Sequence, residues 1–145
     1  MNLSRRGFAA VLPALIAGSH LAATREGQAE AHLPSAVYLF ADLPVRSTAN
    51  LEYRPIMEGQ TVDACHFSVH ESSLAPNSEP HPPHHHQGEE MFLILDGILE
   101  VTINGTASRV TRGSVAFIGS GDEHGIRNVG EKPAKYYVIE LGPQK

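Results

Sequence analysis

The sequence has 145 residues, of which 41% are hydrophobic and 19% charged, so it is typical of a single soluble domain and not of a disordered or collagen-like chain. Its formal net charge of −5 argues against a nucleic-acid partner, which would require a basic patch. One cysteine excludes an internal disulfide framework and a multi-cysteine zinc site. Histidine is the unusual residue: there are nine, and four of them fall between positions 81 and 86.

The first 31 residues differ from the rest and predict an export signal. Twin arginines in Ser4-Arg5-Arg6-Gly7-Phe8 are followed by an apolar run over residues 8–17 and by Ala29-Glu30-Ala31, a small-x-small cleavage site. The Ser-Arg-Arg-x-Phe core resembles a twin-arginine export signal, although Ala9 and Ala10 replace the usual Leu and Lys. A general secretory signal with chance arginines, and an earlier cut near Ala23, are the alternatives.

The predicted export signal leads to three expectations. The apolar run is about ten residues long and a bilayer needs about 20, so we expect no stable membrane anchor. We therefore divide the chain into a cleaved signal at residues 1–31 and one domain at residues 32–145. The mature protein is expected to be periplasmic or secreted.

From residue 32 onward, short apolar runs alternate with turn residues, and no segment has a helical period. The sequence predicts strands at 36–40, 52–57, 64–74, 91–95, 98–104, 106–110, 114–118, 124–128 and 134–141. Asn104-Gly105 is a strong signal for a two-residue hairpin turn. Met91–Leu95 is continuously apolar, which is typical of a strand buried on both faces. Nine short strands predict an all-β sandwich or closed barrel.

The histidine cluster predicts a metal site. On an extended strand, alternate side chains share a face, so His84 and His86 can bind one ion together. Glu90 opens a buried apolar run, where a carboxylate is costly unless it is paired or bound to metal. His124 follows a tight turn later in the chain. Imidazole and carboxylate ligands suit Mn, Fe, Ni, Cu or Zn better than Ca or Mg. A solvated histidine-rich loop that binds metals loosely is the alternative.

Two separated segments resemble the cupin family. His84-x-His86-x-x-x-Glu90, followed after six residues by Gly97, fits the first cupin motif. Residues 113–128 fit the second, with His124 and Asn128 in place and Gly119 where the family usually has proline. The resemblance implies a double-stranded β-helix, or jelly-roll barrel, with one divalent metal bound by His84, His86, Glu90 and His124.

Several further residues are candidates for the pocket around this site. His66 and His70 share a strand face and are expected either to reach the pocket or to remain at the surface. Phe92 and Phe117 are expected in the core or pocket wall. Gln87 and Arg127 neighbour the ligands in sequence and could hold an anionic substrate, although a structural ion pair is equally plausible for Arg127.

The resemblance leaves the reaction open. We favour a Mn- or Fe-dependent oxygenase-type enzyme that acts on a small organic molecule. The alternatives are a non-catalytic module that binds a small molecule or anion through the metal, and a lyase or isomerase of sugar acids. A titratable group near the metal, such as His66, His70 or Glu58, would favour lyase or isomerase chemistry. Residues 32–60 are also candidates for an arm that forms a homodimer.

Overall fold

The computed structural model describes residues 32–143, which are nearly all β-structure. The described elements are a 3-10 turn at Phe40–Asp42 and the strands β1 (Arg46–Ser47), β2 (Leu51–Gln60), β3 (His66–Leu74), β4 (Glu89–Asp96), β5 (Ile98–Ile103), β6 (Thr106–Thr111), β7 (Val115–Ile118), β8 (His124–Asn128) and β9 (Ala134–Leu141). Within this part of the chain, no helix is long and apolar enough to cross a membrane. The predicted export signal lies outside the described residues.

The strands form two antiparallel sheets. The larger has the order β1-β2-β3-β9-β4-β7 and the smaller the order β6-β5-β8. Between them lies one apolar core made of Leu74, Phe92, Ile94, Leu99, Val101, Ile118, Ile126, Ala134, Tyr136 and Val138. This arrangement is the jelly-roll barrel of the cupin fold, so the fold class expected from the sequence is confirmed.

Two tight turns join consecutive strands in the way that the sequence predicts. Asn104 and Gly105 both have positive φ, at 47° and 78°, and close the hairpin between β5 and β6. Gly97, with φ at 88°, turns the chain from β4 in one sheet to β5 in the other. A Cβ at Gly97 would lie 2.5 Å from the Cβ of Ala134, so this corner also has no room for a side chain.

One predicted strand and one predicted burial pattern are wrong. Residues 36–40 do not form a strand: Val37 is 86% exposed, and the chain is irregular until the 3-10 turn. An apolar run forms a strand only where a neighbouring strand can hydrogen-bond to its backbone N–H and C=O groups. The run at 91–95 is not buried on both faces either. In β4 the side chains of Glu90, Phe92 and Ile94 are buried and those between them are half-buried, because only one face of the sheet covers the core.

The N-terminal segment lies along its own barrel. The amide of Leu33 donates to the carbonyl of Gln60 at 2.8 Å, and β1 pairs with β2. Strand β2 pairs with β3 over its whole length, with a bulge between Pro55 and Met57. Residues 51–60 are therefore an integral part of the larger sheet. The homodimer stays a prediction.

Candidate metal centre

The backbone brings two histidines that are forty residues apart into direct register. The amide of His84 donates to the carbonyl of His124 at 2.9 Å, and the amide of His124 donates to that of His84 at 2.8 Å. Such a pair places both side chains on the same face of the ladder. The two ring centroids are accordingly 4.7 Å apart. The proline-rich segment before His84 thus docks on the start of β8.

His86 is held by the turn that precedes β8. Its carbonyl accepts a hydrogen bond from the amide of Gly121 at 2.8 Å. The hydroxyl of Ser120 donates to the carbonyl of the next residue, Gln87. The ring of His86 lies 4.9 Å from that of His124, measured between centroids. One ring nitrogen from each of His84, His86 and His124 lies within 4.8 Å of the other two, so these three residues could hold a metal ion.

Glu90 joins this group from the start of β4. Its Oε2 lies 2.8 Å from Nε2 of His86 and 3.0 Å from Nε2 of His124, and the residue is only 6% exposed. Burial acts to raise the pKa of Glu90, but hydrogen bonds from the two histidines outweigh it and lower that pKa below its ordinary value. The hydrogen bond to Glu90 in turn raises the pKa of His124, against the effect of burial. Glu90 and His124 therefore form a buried ion pair in which each residue favours the charged form of the other.

The remaining ring nitrogens orient the imidazoles. Nδ1 of His86 lies 3.1 Å from the carbonyl oxygen of Gly88, and Nδ1 of His124 lies 2.9 Å from that of Asp122. A carbonyl can only accept, so each Nδ1 carries the proton and each Nε2 is directed at the centre of the site. This is the usual arrangement of metal-binding histidines, in which the other ring nitrogen donates to a carbonyl or carboxylate.

Two observations show that the residues fit a cation. The Nδ1 atom of His84 is buried and has no hydrogen-bond partner, although such atoms are nearly always satisfied. Glu90 is also the direct cross-strand neighbour of Glu140 on β9, which places two carboxylates on the same face. Like charges in that position are destabilising. A divalent ion between the histidines would offset this repulsion.

Two cavities adjoin the cluster and share His84 and Glu140. The inner one, of about 210 Å³, reaches into the barrel and is lined by His84, His124 and Glu90. The rest of its lining is an apolar floor that includes Phe92, Ile126 and Val138, and polar groups of Tyr53, His70, Ser72 and Tyr136. The outer one, of about 380 Å³, is lined by His66, His86 and the end of β9. Together they are large enough for a small organic ligand.

The structure separates the candidate pocket residues into two groups. His66 lines the outer cavity, and His70 and Phe92 line the inner one. Burial lowers the pKa of His70, although the neighbouring Glu140 and Glu90 act to raise it. The centroid of the His70 ring lies 4.4 Å from that of Tyr53, and burial raises the pKa of Tyr53.

The other three candidates lie outside both cavities. Phe117 is 58% exposed, because its cross-strand partner is Met91, whose side chain lies on the outer face of β4. The inward-facing neighbours of Met91 are Glu90 and Phe92, and Phe117 pairs with neither. Arg127 is exposed between two buried residues of β8 and faces Glu100 across the smaller sheet. Gln87 is exposed and contributes its backbone carbonyl to the turn. None of these three side chains lines either of the two cavities.

Glu140 is the residue that sequence reasoning missed. The hydroxyl of Ser68 donates to its Oε2 at 2.7 Å, and its side chain lines both cavities. Residues 134, 136 and 138 of β9 are buried, so alternation places position 140 on the same inner face. That alternation was visible in the sequence and could have identified an inward carboxylate at the open end of the strand.

Comparison with known proteins agrees with this architecture. Residues 70–140 match the family model described as "Cupin domain", which covers the cluster and the strands that carry it. This part of the chain therefore resembles a cupin domain, and the described residues have the all-β cupin fold. Its three-histidine cluster is of a kind that could hold a metal.

Individual relatives are distant. Mannose-1-phosphate guanylyltransferase of Klebsiella pneumoniae is 32% identical over 76 residues, which are 52% of this chain but only 16% of that protein. The solved structure of KdgF from Halomonas sp. has a TM-score of 0.66 at 12% identity and covers 77% of this chain and 97% of that one. A predicted oxalate decarboxylase from Thermotoga maritima has a TM-score of 0.61 at 20% identity, with 74% and 100% covered. These two likenesses establish the fold alone.

Proposed function

We propose that this protein is an exported, metal-dependent cupin enzyme that moves a proton on a small organic molecule, in a lyase or isomerase reaction. His84, His86, His124 and Glu90 would hold one divalent transition metal, for which Mn or Fe is favoured over Ni, Cu or Zn. When bound, such an ion supplies a Lewis acid that polarises a ligand oxygen and a template that orients the ligand.

The observation that carries this proposal is the titratable wall of the inner cavity. Besides His84 and His124, the cavity is lined by His70, Tyr53 and Glu140, which are groups that can accept or donate a proton. A site built only for dioxygen or for passive binding needs no such groups. Burial lowers the pKa of His70, which favours the neutral imidazole, the form that can accept a proton. Because of these proton-transferring groups, we rank proton transfer above the oxygenase-type reaction that the sequence favoured.

The oxygenase-type reaction is the second candidate, because the floor of the same cavity is apolar. Phe92, Ile126 and Val138 would hold a hydrophobic substrate beside the metal and exclude water from it. A non-catalytic role in small-molecule binding uses the same floor and needs no proton acceptor. If either of these two functions is correct, substitution of His70, Tyr53 or Glu140 should leave activity or binding largely intact.

The export signal bears on the metal. A twin-arginine substrate crosses the membrane folded, so its metal can be inserted in the cytoplasm. By the Irving–Williams order, an imidazole–carboxylate site that filled outside would take Cu or Zn ahead of Mn or Fe. Metal analysis of protein purified from the exported fraction is expected to find Mn or Fe. Stoichiometric Zn or Cu in that protein would contradict the assignment.

The metal site is tested by substitution. The double variant His86→Ala/Glu90→Ala should lose bound metal while the barrel still folds, because it removes two of the four donors. His85→Ala is the matched control: His85 lies next to His86 but is exposed on the opposite side of the segment. A metal content near one ion per chain in the double variant would refute the ligand assignment.

The reaction class is tested on the metal-loaded protein in deuterated water. Small hydroxy-ketones, aldoses and uronic acids are incubated with it, and incorporation of deuterium at carbon is followed by NMR. Proton-transfer chemistry predicts incorporation that is lost in His70→Ala and Glu140→Gln. Uptake of dioxygen without deuterium incorporation would favour the oxygenase instead.

A further inference from the structure

Glu140 has a feature that a general polar wall does not require. One of its carboxylate oxygens, Oε2, accepts a hydrogen bond from the hydroxyl of Ser68 at 2.7 Å. Ser68 is itself 8% exposed and sits directly opposite Glu140 in the β3–β9 ladder. Ser68 therefore holds the carboxylate of Glu140 in place from the neighbouring strand, and the side chain of Glu140 lines both cavities.

The charges of the site add a second constraint. A divalent ion held by three neutral imidazoles is balanced by the two carboxylates of Glu90 and Glu140, which are cross-strand neighbours. None of the described residues that line either cavity is Lys or Arg. Arg46 lies over the Tyr53 ring, 5.9 Å from its centroid, but does not line the cavities. An anionic ligand would therefore bring an uncompensated negative charge beside Glu140.

We infer that Glu140, positioned by Ser68, selects uncharged ligands that present a hydroxyl group, and rejects ligands that present a carboxylate at that point. This inference rests on the proposed metal site and narrows its substrate class to neutral hydroxy compounds, such as hydroxy-ketones. A ligand hydroxyl beside the ion can donate its hydrogen bond to Glu140, whereas a carboxylate has no proton to donate and is repelled. A site built to pair with a hydroxyl discriminates strongly against analogues that cannot pair.

The test uses two probes of nearly the same size. Hydroxyacetone presents a ketone and a hydroxymethyl group, and pyruvate presents a carboxylate in place of the hydroxymethyl group. Both are titrated into Co²⁺-loaded protein, and binding is followed by the visible absorption bands of the ion. The compared variants are the native chain, Glu140→Gln and the control Glu131→Gln, which makes the same chemical change in an exposed turn.

Removing the charge of Glu140 should raise the affinity for pyruvate at least tenfold and should not raise that for hydroxyacetone. Ser68→Ala keeps the charge but frees the carboxylate, so it should weaken hydroxyacetone binding severalfold, and Ser68→Thr should restore it. The ratio of the two affinities should be unchanged in Glu131→Gln. If Glu140→Gln leaves that ratio within twofold of the native value, the inference is wrong. If the native protein takes up no Co²⁺, the proposed metal site itself fails, and the inference falls with it.

Discussion

Asn128 ties three parts of the barrel together, and its replacement by alanine should be costly. The side chain is completely buried at the end of β8. Its Nδ2 donates to the carbonyl oxygens of Leu74 at 2.9 Å, Ala75 at 3.1 Å and Lys132 at 2.8 Å. Its Oδ1 accepts a hydrogen bond from the amide of Gly130 at 2.9 Å. One amide group thus satisfies the end of β3 and the turn between β8 and β9.

The size of the effect follows from these contacts. A hydrogen bond contributes about 0.5–1.5 kcal/mol net, and a buried polar group left without a partner costs about 1–3 kcal/mol. The carbonyl of Leu74 lies in the buried interior and has no access to solvent, whereas the groups in the turn can bind water instead. We therefore expect Asn128→Ala to lower the free energy of unfolding by about 3 kcal/mol. At roughly 4 °C per kcal/mol for a domain of this size, the melting temperature should fall by about 12 °C.

The assay is urea unfolding of chelator-treated protein, followed by circular dichroism. Asn50→Ala is the matched control, because Asn50 is exposed and uses its backbone carbonyl to accept from Ala75. The control should change the unfolding free energy by less than about 0.5 kcal/mol. A loss below about 1 kcal/mol in Asn128→Ala, or equal losses in the two variants, would refute the reasoning.

Three further predictions concern the turn, the site and the assembly. Gly97→Ala should destabilise the protein by more than about 2 kcal/mol in the same urea assay, because positive φ is combined with a clash against the β9 backbone, whereas Gly113→Ala, with positive φ in open space, should cost about 1 kcal/mol. Because the folded state raises the pKa of His124, protonated His124 stabilises chelator-treated protein fully below about pH 6.5, and this contribution is lost as the pH rises through the raised pKa. The folded state lowers the pKa of Glu90, so the contribution of Glu90 is lost in acid below about pH 4.5. The unfolding free energy of chelator-treated protein should therefore fall as the pH rises above about 6.5, where the lowered pKa values of His70 and His84 no longer oppose the change, and a rise there would contradict the ion pair. Light scattering on residues 32–145 should give twice the chain mass, since apolar side chains before β1 are exposed, and a monomer at micromolar concentration would rule out the dimer.

Much of the fold could be predicted because the relevant signals are local. Alternation in β5 predicted that Leu99 and Val101 face inward, and both are buried. Asn104-Gly105 predicted its hairpin turn because few other pairs adopt positive φ at both positions. The segment at 36–40 could not be judged in this way. Its apolar residues satisfy a strand pattern, but a strand also needs a partner, and partners are set by distant residues.

The candidate site divides in the same manner. The spacing of His84 and His86 is short-range, so the sequence indicated that these two side chains share a face, and it placed Glu90 at the start of a buried run. That His124 joins them depends on a backbone pairing with His84 across forty residues. The resemblance to a known family supplied that link, and periodicity alone did not. Phe117 shows the limit of sequence neighbourhood: it lies one residue from buried Ile118, and the strand alternation turns it outward.

The sequence by itself determined an all-β chain, its main turns and the chemical nature of a histidine–carboxylate cluster, because each depends on the conformational preferences of neighbouring residues. Only the tertiary structure decided what faces that cluster. Glu140, His70 and Tyr53 come from three different strands and meet at the cavity through the register of one sheet. The packing of the whole core fixes that register. The meeting of these three side chains at one cavity, on which the ranking of the reactions depends, could therefore be found only in the folded chain.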